Sequence, residues 1–288
     1  MAEADEYMTE PIFDKTIKHM WQHPQIAVIT NIEFDHPDAY SSLDDTREQF
    51  LKFANQLPKD GTLITNGDDP EVKKLLEEFK GKKITYGTSR ENDFVVTETL
   101  EGITLSVFGE HNRLDATAAY IVGLELGLSR EQIKKGLEQF MGSKRRGEFI
   151  GTLPKGAKLY DDYAHHPTEI EKTLKAFREK FPDHKIVCVF QPHTYSRTKS
   201  LFEQFSKSFN SVNAVILTNI YASLREKQDL SVSMQELASL IGEKATFLPT
   251  LPDVIKYINN QNYGTDTILI TMGAGDIYKI NQELELKI

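Results

Sequence analysis

Short apolar runs rich in β-branched residues alternate with amphipathic segments of helical period along most of this chain, and that alternation is what most restricts its fold. Gln25-Ile-Ala-Val-Ile-Thr-Asn-Ile32 and Lys185-Ile-Val-Cys-Val-Phe190 are runs of this kind. A strand that is apolar at successive positions has both faces buried, and strands separated by helices pair in parallel through crossovers. The pattern therefore predicts an α/β protein with parallel strands and crossover helices.

At 288 residues the chain is long enough for two domains, and the rhythm changes after Gly142-Ser-Lys-Arg-Arg-Gly147. The first block, 1–147, reads as a buried strand over 25–32, an amphipathic helix over 43–57, a short strand over 62–65 and a helix over 71–79. Pro70 suits the first position of that last helix. A β-hairpin is expected over 93–97 and 103–108, then helices over 111–126 and 129–141, the second capped by Ser129 with Gln132 three residues on. The second block, 148–288, is more regular. Strands are expected over 158–161, 185–190, 214–219, 245–248 and 267–271, with helices over 167–181, 197–209, 233–241, 251–259 and 275–284. Such a block predicts a small doubly wound sheet whose ligands gather at the carboxyl ends of the strands.

Composition excludes several classes. The net charge of −9 repels phosphate backbones, and no basic stripe with interleaved aromatics offsets it, so no nucleic-acid partner is expected. A nucleotide substrate remains compatible, because a magnesium ion and a few Arg residues can neutralise a triphosphate. No stretch has the length of a membrane span, and the first residues carry neither a basic n-region nor an apolar h-region, so the expected location is the cytoplasm with no membrane partner. The one cysteine, Cys188, lies in an apolar run and reads as a small buried thiol.

Polar residues collect where the sheet rule expects them. Asn31-Ile-Glu-Phe-Asp-His-Pro-Asp38 follows a strand and reads either as a turn with an acidic helix start or as a cation site, for which His36 would be an unusual magnesium ligand. Gly109-Glu-His-Asn-Arg-Leu-Asp115 reads by itself as helix capping. Arg145-Arg146 is either a solvated charge pair or a pair of guanidiniums that holds phosphate oxygens. The densest cluster is Tyr160-Asp-Asp-Tyr-Ala-His-His-Pro-Thr-Glu169, between a strand and a helix. Tandem carboxylates and imidazoles are costly to bury without partners, which favours a ligand site. Phe190-Gln-Pro-His-Thr-Tyr-Ser-Arg-Thr198 repeats the pattern at the next strand, bringing His193 and Arg197 toward the rim that carries His165. Met272-Gly-Ala-Gly-Asp-Ile277 ends the last strand with glycines that allow close backbone approach before a helix.

Taken together, Glu3-Ala-Asp-Glu6, Thr30-Asn-Ile-Glu33 with Asp35-His36, Gly109 with His111-Asn112, Arg145-Arg146, Asp161-Asp-Tyr-Ala-His-His-Pro167, Gln191-Pro-His-Thr-Tyr-Ser-Arg197 and Gly273-Ala-Gly-Asp276 resemble the Mur ligase family in order and spacing over nearly the whole chain. The likeness is to the rear of the central domain and the C-terminal domain of the branch that joins L-alanine to UDP-N-acetylmuramate. It implies a partial ATPase-like central domain over 1–147 and a Rossmann-like C-terminal domain over 148–288. The implied reaction is an ATP-driven ligation through an acyl phosphate in peptidoglycan precursor synthesis, with ATP and Mg2+ required. By matching motif, Glu3 and His36 would hold magnesium, and His111, Asn112, Asp115, Arg146 and Asp162 the nucleotide. Tyr163, His165, His193 and Arg197 would meet the amino acid or its acceptor, with His165 and Arg197 closest to the chemistry. Phosphoryl transfer depends mainly on positioning and charge neutralisation, and this set supplies metal ligands and cations rather than a nucleophile.

Two departures matter. Asp115 stands where the family usually has a second Asn three positions after Asn112, and a carboxylate can accept but not donate to adenine. No Gly-x-x-x-x-Gly-Lys-Ser/Thr loop occurs, and nothing here matches the family's UDP-binding N-terminal domain. The expectation is a chain inactive by itself, either a fragment or one half of a split enzyme complemented by an N-terminal half. The tripeptide-recycling ligase that shares these motifs, and a nucleotide-binding module without catalysis, are the competing expectations.

Overall fold

In the computed structural model, which describes residues 2–10, 12–222 and 226–286, the chain separates into two units. One comprises Met1–Ser106 with Glu110–Phe140, the other Val107–Gly109 with Met141–Ile288. The end residues 1, 287 and 288 of the two expected blocks lie outside the described residues.

The first unit opens with a small antiparallel pair, β1 (Met8–Glu10) and β2 (Asp14–Ile17), followed by a 3-10 turn over Lys18–Trp21. Then come β3 (Ile26–Ile29), α1 (Leu43–Ala54), β4 (Thr62–Asn66), α2 (Pro70–Glu78), β5 (Lys82–Gly87), β6 (Phe94–Val95), α3 (Val96–Thr99), α4 (Glu110–Glu125) and α5 (Arg130–Gln139). Strands β3 to β6 lie side by side in chain order, all parallel. Alternation along the strands decides which helix each face receives. Ala27, Ile29 and Leu63 pack with Phe53 of α1 and with Val72 and Leu75 of α2, whereas Ile64 and Tyr86 pack with Ala118 and Ile121 of α4. The caps follow the local chemistry. Asp69 accepts from the N–H groups of Glu71 and Val72 with Pro70 at the first turn, and Ser129 with Gln132 closes a full capping box.

Two features of this unit depart from the expected elements. The hairpin over 93–97 and 103–108 is absent: β6 pairs in parallel with β5, and the chain turns at once into α3. The reason is a helical spacing inside an apparent strand, since Val96 and Leu100, four residues apart, both bury against Ala116 of α4. Gly102, at φ +70°, then turns the chain away. Strand β5 was not anticipated, because it opens with two exposed lysines, Lys82 and Lys83. Residues 2–6, Glu3 among them, are irregular, held by His19 N–H on the Asp5 carbonyl, by Lys18 Nζ at 2.6 Å from the Asp5 carboxylate and by the Tyr40 hydroxyl on the Glu6 carbonyl.

The second unit contains β7 (Glu148–Thr152), β8 (Lys158–Asp162), α6 (Pro167–Lys180), β9 (Lys185–Phe190), α7 (Tyr195–Ser200), α8 (Phe202–Lys207), β10 (Ala214–Leu217), α9 (Met234–Ile241), β11 (Ala245–Phe247), α10 (Leu251–Asn260), β12 (Thr267–Met272) and α11 (Ile280–Glu283). They form a sheet of order β11-β10-β9-β12-β8-β7, parallel except for the edge strand β7. Ile186, Cys188 and Phe190 face α6, α8 and α9 through Phe177, Phe205 and Leu237, while Val187 and Val189 face α10 and α11 through Val254, Ile258 and Ile280. Helices on both faces make the unit doubly wound. Phe177 is fully buried and meets Phe108, Tyr160 and Phe181, so its truncation to Ala is expected to cost about 3–5 kcal/mol.

The expected helix over 197–209 is split at Leu201, whose ψ of 21° leaves the helical range and separates α7 from α8. The helix expected over 275–284 begins later, with a 3-10 turn at Ile277–Lys279 before α11. Among the described residues no helix is long and apolar enough to cross a membrane.

Candidate functional site

Parallel pairing brings the carboxyl ends of β8, β9 and β12 to one rim of the second sheet, in the order β9-β12-β8. The switch in winding falls there: the chain crosses from β8 past β12 to reach β9, then proceeds outward through β10 to β11. Gly273 N–H donates to the Asp162 carbonyl and Gln191 N–H to the Met272 carbonyl, so the three loops leave from adjacent points. Gly273, at φ +139°, passes so close that a Cβ would stand 2.4 Å from the Gln191 carbonyl oxygen.

Arg145 ties this rim together. Its Nε lies 2.8 Å from Asp161 Oδ2, its Nη2 donates to the Gly273 carbonyl at 2.6 Å, and its guanidinium lies over the rings of Tyr163 and Tyr278. Its own carbonyl accepts from Tyr163 N–H, and its backbone has φ +58°. Asp161 is 1% exposed, and its other oxygen accepts from the Thr271 hydroxyl. Neither expectation for Arg145 holds: it is not a solvated charge, and its donors are committed to Asp161 and two glycine carbonyls rather than open to phosphate. Arg146 differs although it is the next residue. Its side chain is 54% exposed, its guanidinium also lies over the Tyr163 ring, and Nη1 stands 3.9 Å from Glu169 Oε1.

Asp162 is 4% exposed and accepts from Gly147 N–H at 2.7 Å and Ala164 N–H at 2.8 Å. Burial pushes its carboxyl up to about 6 against the pull of those N–H groups and of Arg146. The next turn is built on Glu169, the third residue of α6. Its carboxylate accepts from the N–H groups of His165 and His166, while the His166 ring accepts from Thr168 N–H, a capping box with an imidazole in the place of the usual hydroxyl. His165 Nδ1 is 3.0 Å from the Tyr163 carbonyl and 3.3 Å from Glu169 Oε2, and its ring centroid is 6.1 Å from that of His193. His193 stacks on Tyr221 and stands 3.3 Å from Arg197 Nη1. Thr194, at φ +67°, turns the chain into α7, and Arg197 is 3% exposed. Tyr163, His165, His193 and Arg197 therefore lie in sequence along one rim.

In the first unit, His36 is in the left-handed region at φ +55°, and its Nε2 is 3.7 Å from both Glu6 Oε1 and Asp35 Oδ2. One ligand atom from each of Glu6, Asp35 and His36 lies within 4.8 Å of the others. Glu3 contributes a backbone carbonyl to Gln22 Nε2 at 2.7 Å and is exposed. His111 and Asn112 stand at the start of α4 with Asn112 Nδ2 3.1 Å from His111 Nε2. Asp115 lies one turn on; burial and then the Asp115 charge raise the buried Tyr86 phenol above its ordinary range.

Sequence reasoning passed over Glu6, Glu169 and Tyr221. Glu6 was inside the quoted Glu3-Ala-Asp-Glu6 segment but was given no role. Glu169 carried a usable signal, since a carboxylate three residues after a cap position is a capping-box spacing. Tyr221 lies in a loop beyond β10, with no local pattern to single it out.

The Mur ligase middle domain matches residues 13–123 and the Mur ligase glutamate ligase domain matches residues 145–275. A UDP-N-acetylmuramate–L-alanine ligase of Clostridium acetobutylicum is 41% identical over 280 residues, covering 90% of this chain and 60% of its own length. The crystal structure of UDP-N-acetylmuramate–alanine ligase from Thermotoga maritima superposes with a TM-score of 0.67 at 26% identity, over 91% of this chain and 59% of its own. That of a murein peptide ligase from Psychrobacter arcticus gives 0.64 at 22% identity, over 95% and 59%, a likeness of fold. The chain thus spans about three fifths of the length of the relatives it matches. With two of the family's domains matched in order and a sequence likeness sustained across nine tenths of its residues, the chain belongs to the Mur ligase family.

Proposed function

We propose that this chain carries the nucleotide-handling and amino-acid-handling parts of a cytoplasmic ligase that uses ATP to join L-alanine to UDP-N-acetylmuramate, a step of peptidoglycan precursor synthesis. The observation that carries the reading is the 41% identity to an enzyme of that name across 90% of the chain. Blocks 1–147 and 148–288 would be the central and C-terminal domains of such an enzyme, the remaining length being supplied by an N-terminal portion.

The chemistry asks for charge neutralisation, orientation and one proton transfer, and the site residues divide along those lines. Glu6, Asp35 and His36 form a set of two carboxylates and one imidazole within reach of a single divalent ion, with Glu3 nearby in sequence. The two carboxylates fit magnesium, which prefers oxygen ligands and tolerates few protein ligands among its waters, and the His36 imidazole is the unusual member of the set. When bound, magnesium would neutralise the charge of the transferred phosphoryl group. His111, Asn112 and Asp115 would meet the base, with Asp115 limited to accepting. Arg146, exposed and aromatic-backed, would reach phosphate. Asp162 uses two of about four acceptor positions on backbone N–H groups, leaving capacity for a ribose hydroxyl. On the acceptor side, Arg197 would pair with the carboxylate of the incoming alanine, His193, stacked on Tyr221, would hold Arg197, and Tyr163 and His165 would face its amino group.

The test is ADP release by the purified chain, alone and mixed with the N-terminal portion of the Clostridium acetobutylicum enzyme. Release that requires both UDP-N-acetylmuramate and L-alanine supports the assignment. Release that requires a murein tripeptide in place of alanine reassigns the chain to recycling. Nucleotide binding without release under any combination leaves only a binding module.

A further inference from the structure

We propose that Glu226, in the connector between β10 and α9, is the positioning residue for Arg197, setting the helix that carries this guanidinium toward the carboxylate of the incoming amino acid. The substrate in this inference rests on the ligase reading, and the positioning rests on geometry. Arg197 is the third residue of α7 and is 3% exposed. The turn that leads into α7 is unfavourable by itself. Thr194 stands at the cap position with φ +67° and ψ 141°, a region that glycine enters readily and a β-branched residue scarcely at all. Such a backbone persists only where its surroundings over-determine it. The Thr194 hydroxyl makes no cap hydrogen bond, so the orphan N–H groups of the first turn need an acceptor from elsewhere.

Glu226 supplies it from a distant part of the chain. Its Oε2 accepts from Tyr195 N–H at 2.5 Å and its Oε1 from Ser196 N–H at 2.7 Å, so both carboxylate oxygens are committed to the first two residues of α7. A charged acceptor makes stronger hydrogen bonds to these N–H groups than the hydroxyl it replaces. The same connector is fastened on either side of this cap, in step with the segment it lies along. Before it, Tyr221 N–H donates to the Pro192 carbonyl, the Tyr221 carbonyl accepts from Thr194 N–H, and the Tyr221 ring stacks on His193. After it, Asp229 Oδ2 and Ser231 Oγ lie 2.8 and 3.0 Å from Lys199 Nζ, near the far end of α7. Tyr221 thus fixes the entry to the strained turn, Glu226 its exit and Asp229 the end of the helix.

The three fastenings differ in what they hold. The Lys199–Asp229 pair is exposed, and an exposed pair contributes little. The Tyr221 hydrogen bonds are made by backbone groups that other residues would also present. Of the three, the Glu226 carboxylate is the side chain that acts on the exit of the turn. Without it, two N–H groups lose their acceptor while Thr194 keeps its strain, so the chain from Thr194 to Arg197 relaxes and the guanidinium leaves its place for part of the time. The amino acid then binds the fraction of chains with Arg197 in place, and its apparent affinity falls by that fraction. A lost cap corresponds to roughly a 2- to 30-fold change in such an equilibrium. The residues assigned to nucleotide and metal lie on other elements, so the defect should be confined to the amino acid.

The test follows the Nε–H signal of Arg197 at mildly acidic pH in the full chain labelled with 15N-arginine, the signal being identified by its loss in Arg197→Lys. Glu226→Ala is expected to speed its hydrogen exchange by roughly 2- to 30-fold, and Asp229→Asn by less than about twofold. Glu226→Gln retains one acceptor oxygen and no charge; it should fall between the unaltered chain and Glu226→Ala, and it decides the matter should the alanine variant fail to fold. Thr194→Gly in the Glu226→Ala background should recover part of the loss, because it removes the strain that the carboxylate offsets. Exchange that Glu226→Ala leaves in place, that Asp229→Asn raises as much, or that Thr194→Gly fails to slow overturns the proposal. In the complemented ligation assay KM for L-alanine should rise with the exchange rate while kcat and KM for UDP-N-acetylmuramate stay within about twofold. Ligation with an unchanged alanine KM overturns the proposal and leaves the ligase reading intact. Faster exchange without ligation in any mixture removes the ligase reading and leaves Glu226 as the residue that holds Arg197.

Discussion

Replacing Arg145 by Met tests whether the rim of the second unit is held by one ion pair. The change leaves Asp161, 1% exposed, with the Thr271 hydroxyl as its remaining partner, and strips the Gly273 carbonyl of a donor. Breaking a buried pair by removing one partner costs about 3–5 kcal/mol. The lower end applies, because the Arg145 side chain is 21% exposed and Asp161 keeps one hydrogen bond. About 3 kcal/mol corresponds to a melting shift of roughly 6–12 °C for a unit of this size. Arg145→Gly separates two opposing effects. It removes the same pair but relieves a left-handed backbone, recovering about 1 kcal/mol, so the loss should shrink to about 2 kcal/mol and keep its sign. Asp161→Asn supplies the other edge of a double-mutant cycle, and Arg145→Met with Asp161→Asn should cost less than the sum of the singles by about 2 kcal/mol. Urea unfolding followed by far-UV circular dichroism measures these differences, with Trp21 fluorescence reporting the first unit separately. A coupling below about 0.5 kcal/mol would refute the pair as the holding interaction.

Asp162 has a folded-state value of about 6, above its unfolded value of 3.8, so the unfolded chain ionises first as pH rises and stability is lost between about pH 4 and pH 6. The window amounts to about 3 kcal/mol; the stability difference between wild type and Asp162→Asn, followed by urea midpoint, should change by that order across it, and a flat difference would contradict the burial argument. His19 is fully buried against Phe50 and Phe53. Burial lowers its value below 6.5, so its unfolded form takes up protons first and stability falls as pH drops through the mid-sixes. His19→Phe should be neutral or stabilising at pH 7.5 and should flatten the acid side; an unchanged acid slope would oppose this. Manganese binding followed by paramagnetic resonance should weaken at least about tenfold in Glu6→Gln and His36→Ala, and equal binding in both variants would remove the proposed metal set. Gly273→Ala places a methyl 2.4 Å from the Gln191 carbonyl on a backbone at φ +139° and should cost about 3 kcal/mol or more in urea unfolding; a loss under about 1 kcal/mol would mean the loop can yield.

The second unit was legible because both of its periodicities are strong. Lys185–Phe190 is apolar on both faces and folds over the residues expected of it, and the helices that flank it alternate between the faces its side chains create. Where the reading failed, a long-range contact outweighed a local one. The stretch from Phe94 to Leu100 carries enough β-branched residues to look extended, but Val96 and Leu100 gain more by burying together against α4 than a hairpin would return. Strand β5 went unseen for the reverse reason: its first two residues are exposed lysines, and only its later residues, ending near the buried Tyr86, belong to the core.

Arg145 and Arg146 show most clearly what a sequence leaves open about a site. As letters they are identical neighbours. In three dimensions Arg145 takes a left-handed backbone that turns its guanidinium inward onto Asp161 and two glycine carbonyls, and Arg146 is thereby directed outward past Tyr163 to Glu169. No window around residue 145 contains that information, because Asp161, Gly273 and Gly275 become neighbours only when β8 and β12 pair. The same pairing brings Asp162 and Gly273 into one ladder, and with it the backbone from which Tyr163 and His165 are hung. A motif can name the residue types present at a strand end. Which of two adjacent arginines holds the scaffold and which is left at the surface is decided by the strand pairing, so a variant at Arg145 should be read first as a change in stability, and one at Arg146, on the proposed nucleotide role, as a change in binding.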